Sequence, residues 1–249
     1  MAEKKKWWHP LAATAIASAL TLGLSSGVVA PASAVVSLTG EQKFVSAVYT
    51  DFLGRLPSSA ELARDSATVS QFSGKLPLTT KLTTSTEWLT TIVTKMYVDT
   101  LSRQPDAQGL AAWVTWLQQG RFTVAQVASQ FYSSPEYYLY HAGGTDTAWV
   151  TKLYTTLLQR QPDANGLTMW VGLAGNSWIG RTYVAGKLYE TLESAMFRVQ
   201  AIYQKMLGRD PDPSGWYAWS VSVGEKGDLA MAANIANSDE YWNRAQTRF

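Results

Sequence analysis

One string of residues returns along this chain, and it constrains the fold more than any other feature. The segment Tyr97 to Trp113 is matched by Tyr154 to Trp170, where Leu158, Arg160, Pro162, Asp163, Gly166 and Leu167 repeat the slots of Leu101, Arg103, Pro105, Asp106, Gly109 and Leu110. A further copy runs from Tyr203 through Leu207, Arg209, Pro211, Asp212 and Gly215 to Trp219, with Trp216 in the Leu slot. A degenerate copy holds Tyr49, Leu53, Arg55 and Pro57. The shared pattern is Y-x3-L-x-R-x-P-D-x2-G-[LW]-x2-W. Its arginines stand at 55, 103, 160 and 209, so the unit is about 48 residues. The middle step carries an excess near His141 to Asp146, where Gly143 and Gly144 argue for a loop. Self-similarity at such a period marks a repeat architecture, because each copy must bury the same apolar face.

Each copy reads as three short helices. Val93, Met96, Tyr97, Thr100 and Leu101 fall at helical spacing, and Pro105 disfavours helix in the residue before it. A second helix begins at the Asp, carries Leu110, Trp113, Val114 and Leu117, and stops at Gly120; a third opens at the Thr123/Gln126 capping box. Ser134-Pro135-Glu136-Tyr137, Ser238-Asp239-Glu240-Tyr241 and Ser85-Thr86-Glu87-Trp88 mark further helix starts, with Thr191-Leu192-Glu193 a looser version. The expected fold is all-α: four tandem three-helix repeats, packed as a compact bundle or a short solenoid. Their expected spans are 35–89 for the degenerate first repeat, then 90–141, 142–197 and 198–249.

Ahead of the repeats, Met1 to Ala34 reads as a secretory signal peptide. Lys4, Lys5 and Lys6 form a positive start, Leu11 to Ala30 is uncharged and apolar, and Ala32-Ser33-Ala34 is a small-residue cleavage site. The uncharged run is long enough to span a bilayer, but Gly23, Ser25, Ser26, Gly27 and Pro31 weaken it just before that site. The expected destination is outside the cell or at its envelope, with membrane contact only transient, through the signal. The chain has 21 basic and 19 acidic residues, and the leader holds three Lys and one Glu, so the remainder is formally neutral. Neutrality removes the charge density on which nucleic-acid binding relies. With no cysteine, an exported chain must be stabilised by its core alone.

No cofactor, metal or catalytic residue is expected. Asp106, Asp163 and Asp212, each followed three residues later by Gly109, Gly166 or Gly215, invite a calcium reading, yet each copy offers one carboxylate and calcium takes six or more oxygens. In the first copy Ser58 replaces the Asp and Glu61 replaces the Gly, which keeps capping chemistry and discards the ligand. These residues, with Arg55, Arg103, Arg160 and Arg209, are read as structural; each Arg closes a helix and can reach the Glu of the next helix start. Tyr97, Tyr154, Tyr203, Trp113, Trp170 and Trp219 are read as core. His141 is the one histidine beyond the leader, and no G-x-S-x-G, H-E-x-x-H or phosphate loop occurs. Glu87, Glu136 and Glu240 beside aromatics have the local character of a glycosidase acid or base, but a helix start explains all three. Aromatics that the repeat does not require, Trp116, Trp178 and Tyr217, are the candidate ligand-binding residues.

The Leu-x-Arg-x-Pro-Asp-x-x-Gly-Leu-x-x-Trp string with its Ser-x-Glu-Tyr close resembles the domain-of-unknown-function family 4214, a bacterial helical repeat. The resemblance covers Tyr97 to Tyr138 and Tyr154 to Trp170, extends over Tyr203 to Trp242, and is partial over Phe44 to Trp88. It implies a secreted or surface-associated bacterial protein and brings no catalytic residues; a more distant similarity to phycobilisome linker domains implies assembly. The expected function is a non-catalytic interaction or scaffold protein whose partner is a protein or glycan at the cell surface. The alternatives are a cell-wall carbohydrate-binding module and, third, a wall-degrading glycoside hydrolase.

Overall fold

Short polar side chains set the helix boundaries in the computed structural model, which describes residues 37–71 and 74–249. The expected signal peptide lies outside the described residues. All regular structure among those residues is helical: α1 (Gly40–Leu53), α2 (Ser59–Ser70), α3 (Lys75–Thr83), α4 (Thr86–Leu101), α5 (Ala107–Gln118), α6 (Val124–Ser133), α7 (Asp146–Leu153), α8 (Ala164–Ala174), α9 (Trp178–Glu190), α10 (Leu192–Leu207), α11 (Pro213–Ala236) and α12 (Asp239–Gln246). Two π-helical turns, Tyr137–His141 and Tyr154–Leu158, follow α6 and α7. The Ser85 and Thr191 caps start α4 and α10, which run unbroken to Leu101 and Leu207. After Ser134 the chain makes the first π turn and then breaks at Gly143 and Gly144, both at positive φ. Within α11, Gly227 takes φ 82° and kinks the helix.

The helices that precede each Arg bury one recurrent stripe. Val45, Val93, Val150 and Val199 are fully buried, each four residues before Tyr49, Tyr97, Tyr154 or Tyr203 and therefore on the same face. Around that stripe the core gathers into two clusters. One takes Leu89, Val93, Phe131, Trp149 and Leu188 from α4 to α9; the fully buried Trp149 donates its indole N–H to the Tyr132 carbonyl at 2.7 Å. The other takes Phe44, Phe52 and Leu78 from one end of the chain with Val199, Met206, Met231 and Tyr241 from the other.

The second cluster decides between the two expected arrangements. The Phe44 ring meets Tyr241 edge-on at 5.9 Å and lies 5.4 Å from Trp242. The Tyr241 hydroxyl donates to Asp51 at 2.6 Å, and the Arg248 guanidinium donates to the same carboxylate at 2.6 and 2.9 Å. In a solenoid each repeat touches only its neighbours. Here the first and last helices pack on each other, so the body is compact and closed.

One expectation needs correcting. Tyr97, Tyr154 and Tyr203 are buried as expected, but Trp113, Trp170 and Trp219 are only half-buried. An indole carries an N–H that needs a partner. Trp170 donates its N–H to the Tyr154 hydroxyl at 2.9 Å, which holds the ring at the edge of the core.

The residue before each Arg stands in the left-handed region: Gly54, Ser102, Gln159 and Gly208 have φ of 69°, 54°, 54° and 70°. Side-chain-bearing residues pay about 1 kcal/mol or more there, and glycine does not. Ser102→Gly and Gln159→Gly are therefore expected to stabilise the fold by about 0.5–1 kcal/mol each. Thermal and urea unfolding measure this; a loss of stability in both variants would contradict the backbone argument.

Candidate functional site

Each recurrent Arg sits just past a helix end, where one guanidinium can meet three partners. Arg55, Arg103, Arg160 and Arg209 bind Glu87, Glu136, Glu193 and Glu240 through Nε and Nη2, with Nε to carboxylate distances of 2.7, 2.7, 2.7 and 2.5 Å. Each Nη1 donates to the carbonyl of the next residue, and each guanidinium lies about 5 Å over the preceding Tyr ring. The bidentate link ties the end of one helix to the start of another. Arg103 and Arg209 hold the Glu136 and Glu240 carboxyls below their ordinary range. Carboxylates so engaged are poor candidates for proton transfer.

Asp106, Asp163 and Asp212 are N-caps, and their carboxylates accept the backbone N–H of Gly109, Gly166 and Gly215 at 2.7, 2.9 and 2.9 Å. These N–H groups hold Asp106 and Asp163 below the usual range; for Asp212 the Ser214 hydroxyl acts first and Gly215 next. The glycine has its own reason. A Cβ at Gly109 would stand 2.6 Å from the Tyr97 hydroxyl, against 3.0 Å from Tyr154 at Gly166 and 3.3 Å from Tyr203 at Gly215. Gly109→Ala is accordingly expected to cost about 1–2 kcal/mol, more than Gly215→Ala. Parallel urea titrations should show that order, and equal costs would remove the close-approach account.

The first copy exchanges its parts. Asp65 stands sixteen residues after Tyr49, the spacing that separates each other Tyr from Trp113, Trp170 or Trp219. Its buried carboxylate accepts from the Tyr49 hydroxyl at 2.6 Å, from Arg64 at 2.8 and 2.9 Å and from Lys81 at 3.1 Å. Burial alone would raise its pKa; the hydrogen bonds from Arg64, Tyr49 and Lys81 outweigh it and hold the group at about 2. Glu61, in the glycine slot, pairs with Arg55 through both oxygens at 2.9 Å and is held at about 2 by that pairing first and the Ser58 N–H next.

The three non-repeat aromatics are not brought together. Trp116 is half-buried, edge-on to Trp113 at 5.0 Å and against Phe122 at 5.7 Å. Tyr217 is 60% exposed on α11. Trp178, 52% exposed, opens α9 beside Ile179 and Tyr183, also exposed. Asp146 ties this end of α9 to the loop after the first π turn, accepting from the Asn176 N–H at 2.7 Å and from Arg181 at 3.4 Å, while Arg181 lies 4.0 Å over Tyr138. Leu139 and Tyr140, on that same turn, are exposed as well. Two neighbouring segments thus present Leu139, Tyr140, Trp178, Ile179 and Tyr183 to solvent. Sequence reading found Trp178 and missed the others, because an exposed apolar residue on a helix has the same local pattern as a buried one. His141 stacks on Tyr137 at 6.2 Å.

A cavity of about 160 Å3 lies where the two core clusters meet. Its wall is mainly apolar and aromatic, with Met96, Phe131, Tyr189, Phe197 and Leu229 among the lining residues. Five charged residues also line it: Lys95 and Asp99, paired at 2.6 Å; Arg198 and Asp228, paired at 2.7 Å; and Lys205, which lies 4.9 Å over Trp88. Desolvation lowers the Lys205 pKa to about 8. Among the described residues no group of three or more acidic or histidine side chains is placed to hold a metal ion, and no helix is long and apolar enough to cross a membrane.

Compared with known proteins, residues 84–140 and 128–197 match the family model described as a domain of unknown function, DUF4214. No curated protein and no solved structure matches the chain.

Proposed function

We propose that the chain, whose residues 84–140 and 128–197 match the DUF4214 family model, is an exported, non-catalytic interaction protein of the bacterial cell envelope or exterior. The reading takes it as four three-helix units, each ending in a link from the Arg to the Glu of the next helix start. The four Arg–Glu pairs of like geometry support that division. They also argue against a glycosidase, because the carboxylates that such chemistry would need are each engaged by two guanidinium bonds.

The observation that carries an interaction role is the exposure of Leu139 and Tyr140 on the first π turn and of Trp178, Ile179 and Tyr183 on α9, two segments linked through Asp146 and Arg181. Neighbouring apolar and aromatic side chains left in water favour a partner that covers them. A protein partner at the cell surface fits this mixed aliphatic and aromatic face better than a glycan, whose sugar faces call for flat aromatic platforms alone. The exposed rings of Trp178 and Tyr217 keep the glycan as a second reading. The test is retention of the chain without its leader on cell-envelope protein and, separately, on purified peptidoglycan. A Trp178→Ala, Ile179→Ser double variant is expected to lose tenfold or more in binding to envelope protein and to keep its melting temperature. Undiminished binding would dismiss this face as the contact, and retention on peptidoglycan lost with Trp178→Ala would favour the glycan.

A further inference from the structure

The central cavity is lined by equivalent positions of two copies. Ile92, Met96 and Thr100 of α4 stand five and one residues before Tyr97 and three after it; Arg198, Ile202 and Met206 of α10 hold the same places about Tyr203, and all six line the cavity. Ala128 and Ala232 correspond as well, each six residues before the Ser that caps the next helix start, and both line it. The fourth copy departs from the repeat here. Whereas α6 opens from a loop at the Thr123 cap, α11 runs from Pro213 to Ala236 and turns only at Gly227, so Leu229 and Ala232 reach the cavity from its redirected half. Both alanines are buried, and a methyl group at each of two corresponding positions leaves open the room that a larger apolar side chain would fill.

We propose that this cavity binds a small neutral aromatic molecule of about one ring. Size supports the reading: about 160 Å3 compares with the roughly 150 Å3 of an apolar protein cavity that takes up benzene. The wall supports the aromatic character, because Phe131, Tyr132, Tyr189 and Phe197 line it and rings make favourable edge-on and offset contacts with one another. The engagement of the charged lining residues supports neutrality. Lys95 pairs with Asp99 at 2.6 Å, Arg198 with Asp228 at 2.7 Å, and Lys205 lies 4.9 Å over the Trp88 ring. A charged guest would lose its water among apolar walls and compete with those contacts, whereas a neutral one leaves them intact. An empty apolar void of this size weakens a fold, since its lining forgoes contacts that a guest restores. A concave, mostly apolar wall is also the ordinary makeup of a small-molecule site.

Three probes of similar shape separate size from charge: toluene, benzoate and benzylamine, titrated calorimetrically at neutral pH and constant ionic strength into the full chain without its leader. Toluene is expected to bind with a submillimolar dissociation constant, and benzoate and benzylamine at least tenfold more weakly. Ala128→Leu and Ala232→Leu, which fill the cavity from its two corresponding positions, should each weaken toluene by tenfold or more. Saturating toluene should raise the melting temperature of the unaltered chain and leave that of both variants unmoved. No binding of toluene up to its solubility in water, benzoate or benzylamine binding as tightly as toluene, or toluene binding undiminished in both variants would overturn the proposal. Should either leucine overpack and unfold the chain, Ala128→Val and Ala232→Val, smaller by a carbon, and the ranking of the probes on the unaltered chain make the same distinction.

Discussion

Replacing Tyr241 by alanine is expected to destabilise the protein by about 4 kcal/mol, although the residue lies eight positions from the end of the chain. Its ring is 1% exposed and meets Phe44 edge-on, so truncation opens a void between α1 and α12. Its hydroxyl is also a donor to Asp51, which is itself buried and loses that donor on truncation while keeping the Arg248 guanidinium. The form of the unfolding curve tells as much as its midpoint. In an array of repeats damage to the last unit stays local, because stability is a sum over neighbours. In a closed body the first and last helices share one cluster, so the helical signal should be lost in a single transition at lower urea. A two-step curve in which most of the helix survives to the original midpoint would show that the ends do not couple. Tyr241→Phe, which keeps the ring, should cost about 1–2 kcal/mol through the loss of one donor to the buried Asp51 carboxylate.

The second large effect is at Asp65. Asp65→Ala is expected to cost about 3 kcal/mol at neutral pH, since it leaves the Tyr49 hydroxyl without its acceptor in the core and removes the carboxylate that gathers Arg64 and Lys81. Part of that loss depends on pH. A carboxyl held at about 2 when folded and near 3.8 when unfolded contributes stability fully above about pH 5, and loses it as pH falls through the folded value. The contribution is about 2 kcal/mol. The gap between the unaltered chain and Asp65→Ala should therefore narrow by about that amount between pH 5 and pH 2, as read from urea midpoints. A gap constant over that range would mean that Asp65 acts through packing alone.

Asp65 also shows where sequence reading stopped short. Its place in the Trp slot is countable from the repeat, but that an acid there would reverse the direction of a hydrogen bond is not. In the third copy the Tyr154 hydroxyl accepts from Trp170, whereas in the first copy the Tyr49 hydroxyl donates to Asp65. Which group donates depends on a partner sixteen residues away on a different helix. The same limit applies to the Trp slots, whose helical spacing indicates a shared face but not how far the neighbouring helix covers it. The left-handed residue before each Arg escaped notice for a simpler reason: Ser102 and Gln159 lack the glycine that marks such a turn at Gly54 and Gly208.

What the sequence by itself determined was local. The period, the helical class, the N-caps at Ser58, Asp106, Thr123, Asp163 and Asp212, and the loop at the glycine pair all rest on interactions between residues three or four apart, or on the backbone freedom of single residues. Such interactions are written in the order of the chain. Only the tertiary structure decided that α1 closes on α12 across 190 residues, that a mainly apolar cavity lies between two core clusters, and that Trp178, Ile179 and Tyr183 of α9 and Leu139 and Tyr140 of the first π turn are left exposed. The physical reason is that burial belongs to pairs of surfaces. Repeated units carry the same apolar stripe, and an open array and a closed body can both bury it. The residues at the two ends, Phe44 and Asp51 facing Tyr241 and Arg248, make the closed body the one observed.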